Sequence, residues 1–149
     1  MANLLDRFKK QVIGSDANIF DFLPKITASG EFKRIRDIDV IITSWNNILL
    51  TPRRTYINDP EYGSDLHKMV FEPADDTTVE RIKQEIEKSI GYYDDRAIIT
   101  DITVKIMSNG KGFSVDIFAE YDNEEATLSV KFDDSTILAQ EGNRGVPVP

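Results

Sequence analysis

Asn47-Ile48-Leu49-Leu50-Thr51-Pro52 and Asp59-Pro60-Glu61-Tyr62-Gly63-Ser64-Asp65-Leu66 form a turn-and-cap pattern between two apolar stretches. Pro52 ends the helix that is predicted before it, because proline disfavours the helical conformation of the residue that precedes it. Pro60 and Gly63 indicate a loop of defined geometry, and Ser64 is a candidate N-cap for a short helix. The pattern contains no nucleophile–base spacing, no set of metal ligands and no phosphate loop. It therefore favours a structural role over catalysis.

The segment before this pattern predicts an amphipathic helix with Asp37 as a candidate N-cap. One helical face carries Ile38, Ile41, Ile42, Trp45, Ile48 and Leu49. Another short amphipathic helix is predicted over residues 4–12, and packing on the core or docking on a partner both remain open for it. Residues 14–30 show no regular period, since Pro24 interrupts them. Residues 32–35 favour a short strand.

Downstream, the sequence predicts a helix and then three strands. Thr77 and Glu80 have the spacing of a capping box, and the apolar residues that follow recur at helical period. From Ile98 the period becomes two, with turn residues at 109–112 and 122–125, as is typical of an antiparallel meander. The predicted inner faces carry Ile98, Thr100, Ile102, Val104 and Ile106, then Phe113, Val115, Ile117, Ala119 and Tyr121, then Ala126, Leu128, Val130 and Phe132.

This order of elements predicts an α+β fold. We expect a single domain in which N-terminal and central helices pack on a C-terminal three-stranded antiparallel meander. The 149 residues are enough for one domain with its own core. Within it, we predict an N-terminal helix and irregular segment over 1–30, an α+β core over 31–134, and a flexible or partner-ordered tail over 135–149.

Composition narrows the function classes. The formal net charge of −8 argues against a surface for nucleic acid or anionic membrane. No apolar run approaches the roughly 20 residues of a membrane span, and the N-terminus lacks a secretory signal pattern, so we expect a cytoplasmic protein without membrane association. The chain has no cysteine, which excludes a disulfide framework, a thiolate nucleophile and a thiolate zinc site. We expect no metal and no cofactor.

The candidate chemical groups are weak. His67 is the only histidine, and beside an apolar stripe it is better explained as a surface or packing residue than as a catalytic base. Adjacent acidic pairs such as Asp94-Asp95 are common by chance among 26 acids. They also do not set the separation of roughly 5–10 Å that glycoside hydrolysis requires. Arg96 can form a local salt bridge with these acids or present its guanidinium to a partner, and composition alone favours the salt bridge.

Residues from about 42 to 104 resemble the baseplate wedge family of contractile tails, often labelled "tail lysozyme", which includes the wedge component of type VI secretion. The family has an aromatic residue followed by Glu-Pro-Arg where this chain has Tyr93-Asp94-Asp95-Arg96. It usually has Gly-Glu-Arg where this chain has Arg54-Thr55-Tyr56. The other matching positions are Ile48, Leu49, Thr51, Pro60-Glu61-Tyr62-Gly63-Ser64-Asp65-Leu66 and Phe71-Glu72.

The resemblance implies a structural protein and not an enzyme. Such a protein joins the baseplate wedge of a contractile injection particle to the first sheath ring, in six copies per baseplate. It is expected in the cytoplasm during assembly and then in the particle, with tube or hub proteins as further candidate partners. The alternative is a small, lysozyme-like peptidoglycan hydrolase.

The resemblance also implies where partners bind. Asp94, Asp95 and Arg96 are expected to face the helical core of the wedge, and sheath arms are expected to pair with strands of this protein. Because an exposed strand edge is a template for another strand, we predict strands 113–121 and 126–132 as the sheath surface. The candidate contact residues there are Phe113, Val115, Ile117, Leu128, Val130 and Phe132.

Overall fold

The computed structural model describes residues 19–133 and 137–142. In chain order, its elements are β1 (Phe20–Ile26), β2 (Phe32–Arg36), α1 (Ile38–Leu50), α2 (Leu66–Met69), α3 (Asp76–Tyr93), β3 (Ile98–Ile106), β4 (Gly112–Tyr121), β5 (Glu124–Asp133) and β6 (Ile137–Gly142). The chain divides into two compact units after Val40, inside α1. The expected boundaries at residues 30 and 134 fall elsewhere than this division.

The first unit contains an antiparallel hairpin of β1 and β2, in which Phe20 pairs with Arg36 and Ile26 with Phe32. The expectation of an irregular segment over 14–30 is therefore wrong for residues 20–26. The register shifts between Leu23 and Ile26, around Pro24. A proline lacks the amide hydrogen that a ladder requires, so it is tolerated at such an irregularity. The predicted strand at 32–35 is confirmed, and the predicted helix over 4–12 lies outside the described residues.

The helices of the second unit follow the predicted apolar period. All six residues of the predicted face of α1 are buried, and α3 buries Ile82, Ile86 and Ile90. However, α3 begins before the predicted capping box. Its N-cap is Asp75, whose carboxylate accepts a hydrogen bond of 2.8 Å from the Thr78 amide. Aspartate is among the preferred N-cap residues, and its negative charge also suits the N-terminal end of the helix dipole.

The C-terminal strands form one antiparallel sheet in the order β3-β4-β5-β6. The predicted inner faces of β4 and β5 are confirmed, with Tyr121 half-buried at the end of β4 and the other members buried. Asp122 and Asn123 join these strands, and both have positive φ, 50° and 62°. That backbone is the one required by a two-residue type I′ hairpin turn. The α+β class is thus confirmed.

Strand β3 departs from the predicted alternation. Ile99 pairs with Ala119 and Asp101 with Phe118, so Thr100 is an extra residue in the strand. Such a bulge shifts the side-chain alternation by one position. As a result Ile99 shares the face of Ala119, whereas Ile98 is 69% exposed and Thr100 is exposed as well. The assignment of Ile98 and Thr100 to the buried face was wrong.

The sheet has a fourth strand that the sequence did not predict. Residues 137–142 were expected to belong to a flexible or partner-ordered tail, but they pair with β5 from Phe132↔Ile137 to Thr127↔Gly142. The remaining tail residues, 134–136 and 143–149, lie outside the described ranges. Strand β5 therefore has a partner on each side, as does β4.

Candidate functional site

The turn-and-cap pattern forms a tight connector between α1 and α2. The Ser64 amide donates to the carbonyl oxygen of Thr51 (2.9 Å), and the Ser64 hydroxyl donates to that of Leu49 (2.7 Å). The Arg53 amide in turn donates to the Ser64 carbonyl oxygen (3.1 Å). Ser64 is fully buried, and Asp65 occupies the N-cap position of α2. The prediction that Ser64 caps this helix is wrong, since its hydroxyl binds the end of α1 instead.

Gly63 makes this close approach possible. Its φ is +110°, and a Cβ at this position would overlap the carbonyl oxygen of Thr51. Only glycine has both this conformational freedom and the missing Cβ. Arg54 also has a positive φ, of 74°, and it stands where the resembling family has glycine. The loop therefore keeps the left-handed backbone there without the glycine.

Arg53 ties this connector to α3. Its Nη1 lies 2.8 Å from Asp65 Oδ2, and its Nη2 lies 2.9 Å from Glu85 Oε1 and 3.3 Å from Ser89 Oγ. The Arg53 side chain is only 13% exposed. A planar guanidinium can satisfy several acceptors at once, which makes arginine well suited to a mostly buried junction. This cluster was not predicted, because its members are up to 36 residues apart in sequence.

The charges of this junction favour an ionised Asp65. The hydrogen bond from Lys68 is the largest cause that lowers the pKa of Asp65; burial opposes it, and Arg53 lowers the pKa further. Lys68 Nζ lies 2.8 Å from Asp65 Oδ1. Asp65 also donates its backbone amide to Glu85 Oε1 (3.0 Å). Polar groups at this junction therefore hold the scaffold together.

The predicted wedge-facing segment begins directly after α3. Arg96 forks onto Asp94, with Nε 2.7 Å from Oδ1 and Nη2 2.6 Å from Oδ2. The Asp94 side chain is 3% exposed, whereas that of Arg96 is 41% exposed. Asp95 between them is exposed. The structure thus brings Asp94 and Arg96 together as an ion pair, while the Asp95 side chain lies open to solvent.

Asp94 is anchored to α1 as well. Trp45 Nε1 donates to the Asp94 carbonyl oxygen at 3.2 Å. Burial by itself raises the pKa of Asp94, but hydrogen bonds from Arg96 and Ser44 outweigh it, so that this pKa lies below its ordinary value. Asp94 is consequently a buried carboxylate that orients Arg96. A direct contact between the Asp94 side chain and a partner, as the sequence led us to expect, would require the ion pair to open.

The six predicted contact residues of the strands are not surface residues. Phe113, Val115, Ile117, Leu128, Val130 and Phe132 are all buried, with the Phe113 and Phe132 rings stacked at a centroid distance of 5.1 Å. Their side chains form the core, so the expectation that these side chains touch a partner needs correction. The alternation that made them candidates is the signature of a buried face. Within the described residues, the sheet ends at β3 and β6 rather than at β4 or β5.

A row of four tyrosines lies beside the Asp94–Arg96 pair. The successive ring centroids of Tyr56, Tyr62, Tyr93 and Tyr92 are 5.4, 5.1 and 4.8 Å apart. The Tyr93 hydroxyl donates to Asp59 Oδ2 at 3.1 Å. Desolvation, followed by this hydrogen bond and the nearby negative charge, raises the pKa of Tyr93 to about 12. Burial is also the largest cause that raises the pKa of Tyr62. The sequence analysis did not find this row, because its two halves come from a loop and a helix end.

Other chemical groups do not assemble into a reaction centre. His67 is half-buried in the short helix α2. Among the described residues, no three histidine or acidic side chains are grouped as metal ligands. Nor does any helix in the described ranges have the length and apolar character needed to cross a membrane.

The fold and these surfaces define a class: a small α+β protein with internal polar clusters, an exposed aromatic row and an extended antiparallel sheet. Residues 36–128 match the family described as baseplate wedge protein gp25. Since the match covers more than half of the chain, the protein belongs to that family. A structural role in the baseplate wedge of a contractile tail-like particle follows from this membership.

Three solved structures share the fold. A tail lysozyme, so labelled, from Geobacter sulfurreducens is 22% identical, with a TM-score of 0.59 over 66% of this chain and 94% of that one. A chain in the anti-feeding prophage baseplate is 18% identical, with a TM-score of 0.61 over 70% of this chain and 86% of that one. A chain in the postcontracted pyocin R2 baseplate is 24% identical, with a TM-score of 0.53 over 68% and 95%.

Proposed function

We propose that this protein is a non-catalytic component of a contractile injection particle, where it links the baseplate wedge to the first sheath ring. The observation that carries this proposal is the four-stranded sheet, which ends at β6 with no further strand among the described residues. Unpaired amides and carbonyls on such an edge are a template for a strand from another chain. A sheath arm would add itself there as a fifth strand.

The two ends of the sheet differ as templates. Strand β3 carries the bulge at Thr100, and bulges twist an edge away from regular pairing. Lys105 and Asp101 are exposed on the same strand, and charges also discourage strand addition. Strand β6 pairs with β5 in continuous register over six residue pairs. We therefore assign the sheath to the outer edge of β6, which replaces the earlier assignment to strands 113–121 and 126–132.

The opposite partner is the wedge. Arg96 is held by Asp94 in one orientation and is 41% exposed, which supports a role in presenting a fixed cation to a neighbouring subunit. Asp95 is exposed next to it. The baseplate context of the two particle structures supports other baseplate proteins as the partners of this chain. Six copies per particle, neighbouring tube or hub proteins, and assembly in the cytoplasm complete the proposal.

A truncated chain tests the sheath assignment. A chain that ends at Asp133 lacks β6, and we expect it to keep binding the wedge proteins but to lose recruitment of the sheath protein. Co-purification with each partner separately measures the two activities. Ile98→Lys is the matched control, because it changes an exposed residue of the opposite edge strand and should leave recruitment intact. Undiminished sheath recruitment by the truncated chain would overturn the assignment to β6.

A further inference from the structure

The tyrosine row has the composition of a binding surface rather than of a core. Tyr92 is 79% exposed, and Ile57, next to Tyr56 in the loop, is 94% exposed. Four of the five tyrosines of the chain lie in this one row. Tyrosine is enriched at the energetic centres of protein interfaces, because its ring offers a large contact area at a low cost in side-chain entropy.

The row is rigid before any partner binds. Tyr93 contacts Tyr62 on one side and Tyr92 on the other, edge to face at 73° and 76°. The bond from the Tyr93 hydroxyl to Asp59 fixes the helix end against the loop. Rings that are already ordered lose little freedom on binding, which favours affinity.

The charges around the row favour a cationic partner. The faces of aromatic rings attract cations, and Asp59 and Glu61 bring carboxylates close to the Tyr93 hydroxyl. The Arg53 guanidinium points away into its own ion pairs, and the Arg96 guanidinium is held by Asp94. The whole chain is acidic, with a net charge of −8. A basic segment would therefore complement this surface.

The spacing of the rings selects the form of that segment. Successive centroids are 4.8–5.4 Å apart, close to the 5.4 Å pitch of an α-helix. Arginine or lysine side chains one turn apart on a helix would therefore meet successive rings. The row has no enclosed cavity of its own, since the pocket described for this chain lies elsewhere, between Met69 and Phe113. This shape fits a protein helix better than a small molecule.

We propose that the row of Tyr56, Tyr62, Tyr93 and Tyr92 is a docking surface for an α-helix that carries basic side chains one turn apart. The inference rests on the proposed function only for the particle in which such a helix occurs, namely a neighbouring baseplate subunit. Its chemistry is a property of this chain alone. It can therefore fail while sheath recruitment through β6 holds, and the reverse is also true.

Binding of three stapled helical peptides to the full chain tests the proposal. The peptides differ only at positions i, i+4 and i+7, which are arginine, norleucine or glutamate. Isothermal titration at two salt concentrations should give the tightest binding for arginine, and glutamate should bind at least about ten-fold more weakly. Equal binding of the arginine and norleucine peptides, or no binding of the arginine peptide, would overturn the proposal.

Two matched pairs of variants locate the binding. Tyr92→Ala should weaken the arginine peptide about ten-fold, whereas Phe71→Ala, at another aromatic residue that is 79% exposed, should not. Glu61→Gln should weaken it by a smaller factor, whereas Glu87→Gln, with the same change in net charge on exposed α3 surface, should not. Equal effects within either pair would show that the peptide binds away from the row, against the proposal.

Discussion

Arg96 and Asp94 form a two-pronged ion pair in which a nearly buried carboxylate holds a half-exposed guanidinium, with N–O distances of 2.7 and 2.6 Å. The pair joins the end of α3 to α1, since the backbone of Asp94 also accepts the Trp45 indole hydrogen. Structure and partner binding are therefore coupled at Arg96. A loss of assembly after mutation of this residue has to be compared with the loss of stability.

Arg96→Ala should destabilise the isolated protein. Removing the guanidinium leaves the buried Asp94 carboxylate short of hydrogen bonds, at a cost of about 1–3 kcal/mol. Urea unfolding followed by the fluorescence of Trp45, the only tryptophan, measures this free energy. Asp95→Ala is the control, and at this exposed position we expect a change within about 0.5 kcal/mol. An Arg96→Ala protein as stable as the parent would show that the pair does not stabilise the fold.

Acid should remove part of the stability through Asp94 and Asp65. The pKa of each carboxyl lies below the ordinary value of 3.8 in the folded protein. The unfolded chain then takes up protons first as the pH falls, so the stabilisation is complete above that value and is lost through the lower folded pKa values. Unfolding free energies below pH 4 should depend less on pH in Asp94→Asn than in the parent. An unchanged slope would contradict the ionised pair.

Arg53→Lys should cost more stability than its conservative nature suggests. A lysine cannot reproduce the fork that reaches Asp65, Glu85 and Ser89, so the expected loss is about 2–3 kcal/mol. Arg81→Lys is the matched control, because Arg81 pairs with Glu72 on the surface, where such pairs contribute about 0–1 kcal/mol. Similar losses for the two variants would mean that the Arg53 cluster is no stronger than a surface ion pair.

Gly63→Ala should loosen the connector between α1 and α2. The new Cβ would overlap the Thr51 carbonyl oxygen at a backbone conformation that disfavours alanine, so we expect a loss of more than about 1 kcal/mol. Arg54→Gly is a control at another positive φ. Relief of left-handed strain and the added freedom of the unfolded chain oppose each other there, so its effect should stay within about 1 kcal/mol. A neutral Gly63→Ala would refute the close approach.

Local periodicity explains what the sequence could predict. The apolar faces of α1, α3, β4 and β5 follow directly from periods of 3.6 and 2, and the turn at Asp122-Asn123 follows from residues that tolerate positive φ. The same alternation misled the assignment of function. Residues such as Val115 and Leu128 were taken as partner contacts, although a regular apolar stripe marks a core.

The remaining features depend on non-local contacts. The bulge at Thr100 shifts β3 without any glycine or proline to announce it. Strand β6 exists by pairing with β5, and the Arg53 cluster joins residues of a loop and a distant helix. The tyrosine row likewise needs the loop to fold against the end of α3. Sequence spacing carries no direct record of such contacts.

The central claim is that a sheath arm pairs with the outer edge of β6, and disulfide trapping measures this most directly. The chain has no cysteine, so one introduced at Ala139 in β6, or at Thr103 in β3 as the control, has no competitor within this protein. Each variant is assembled with sheath proteins that carry single cysteines along the arm. The account predicts cross-links from Ala139→Cys that recur at every second arm position. Cross-links from Thr103→Cys alone, or from neither variant in particles that assemble normally, would contradict it.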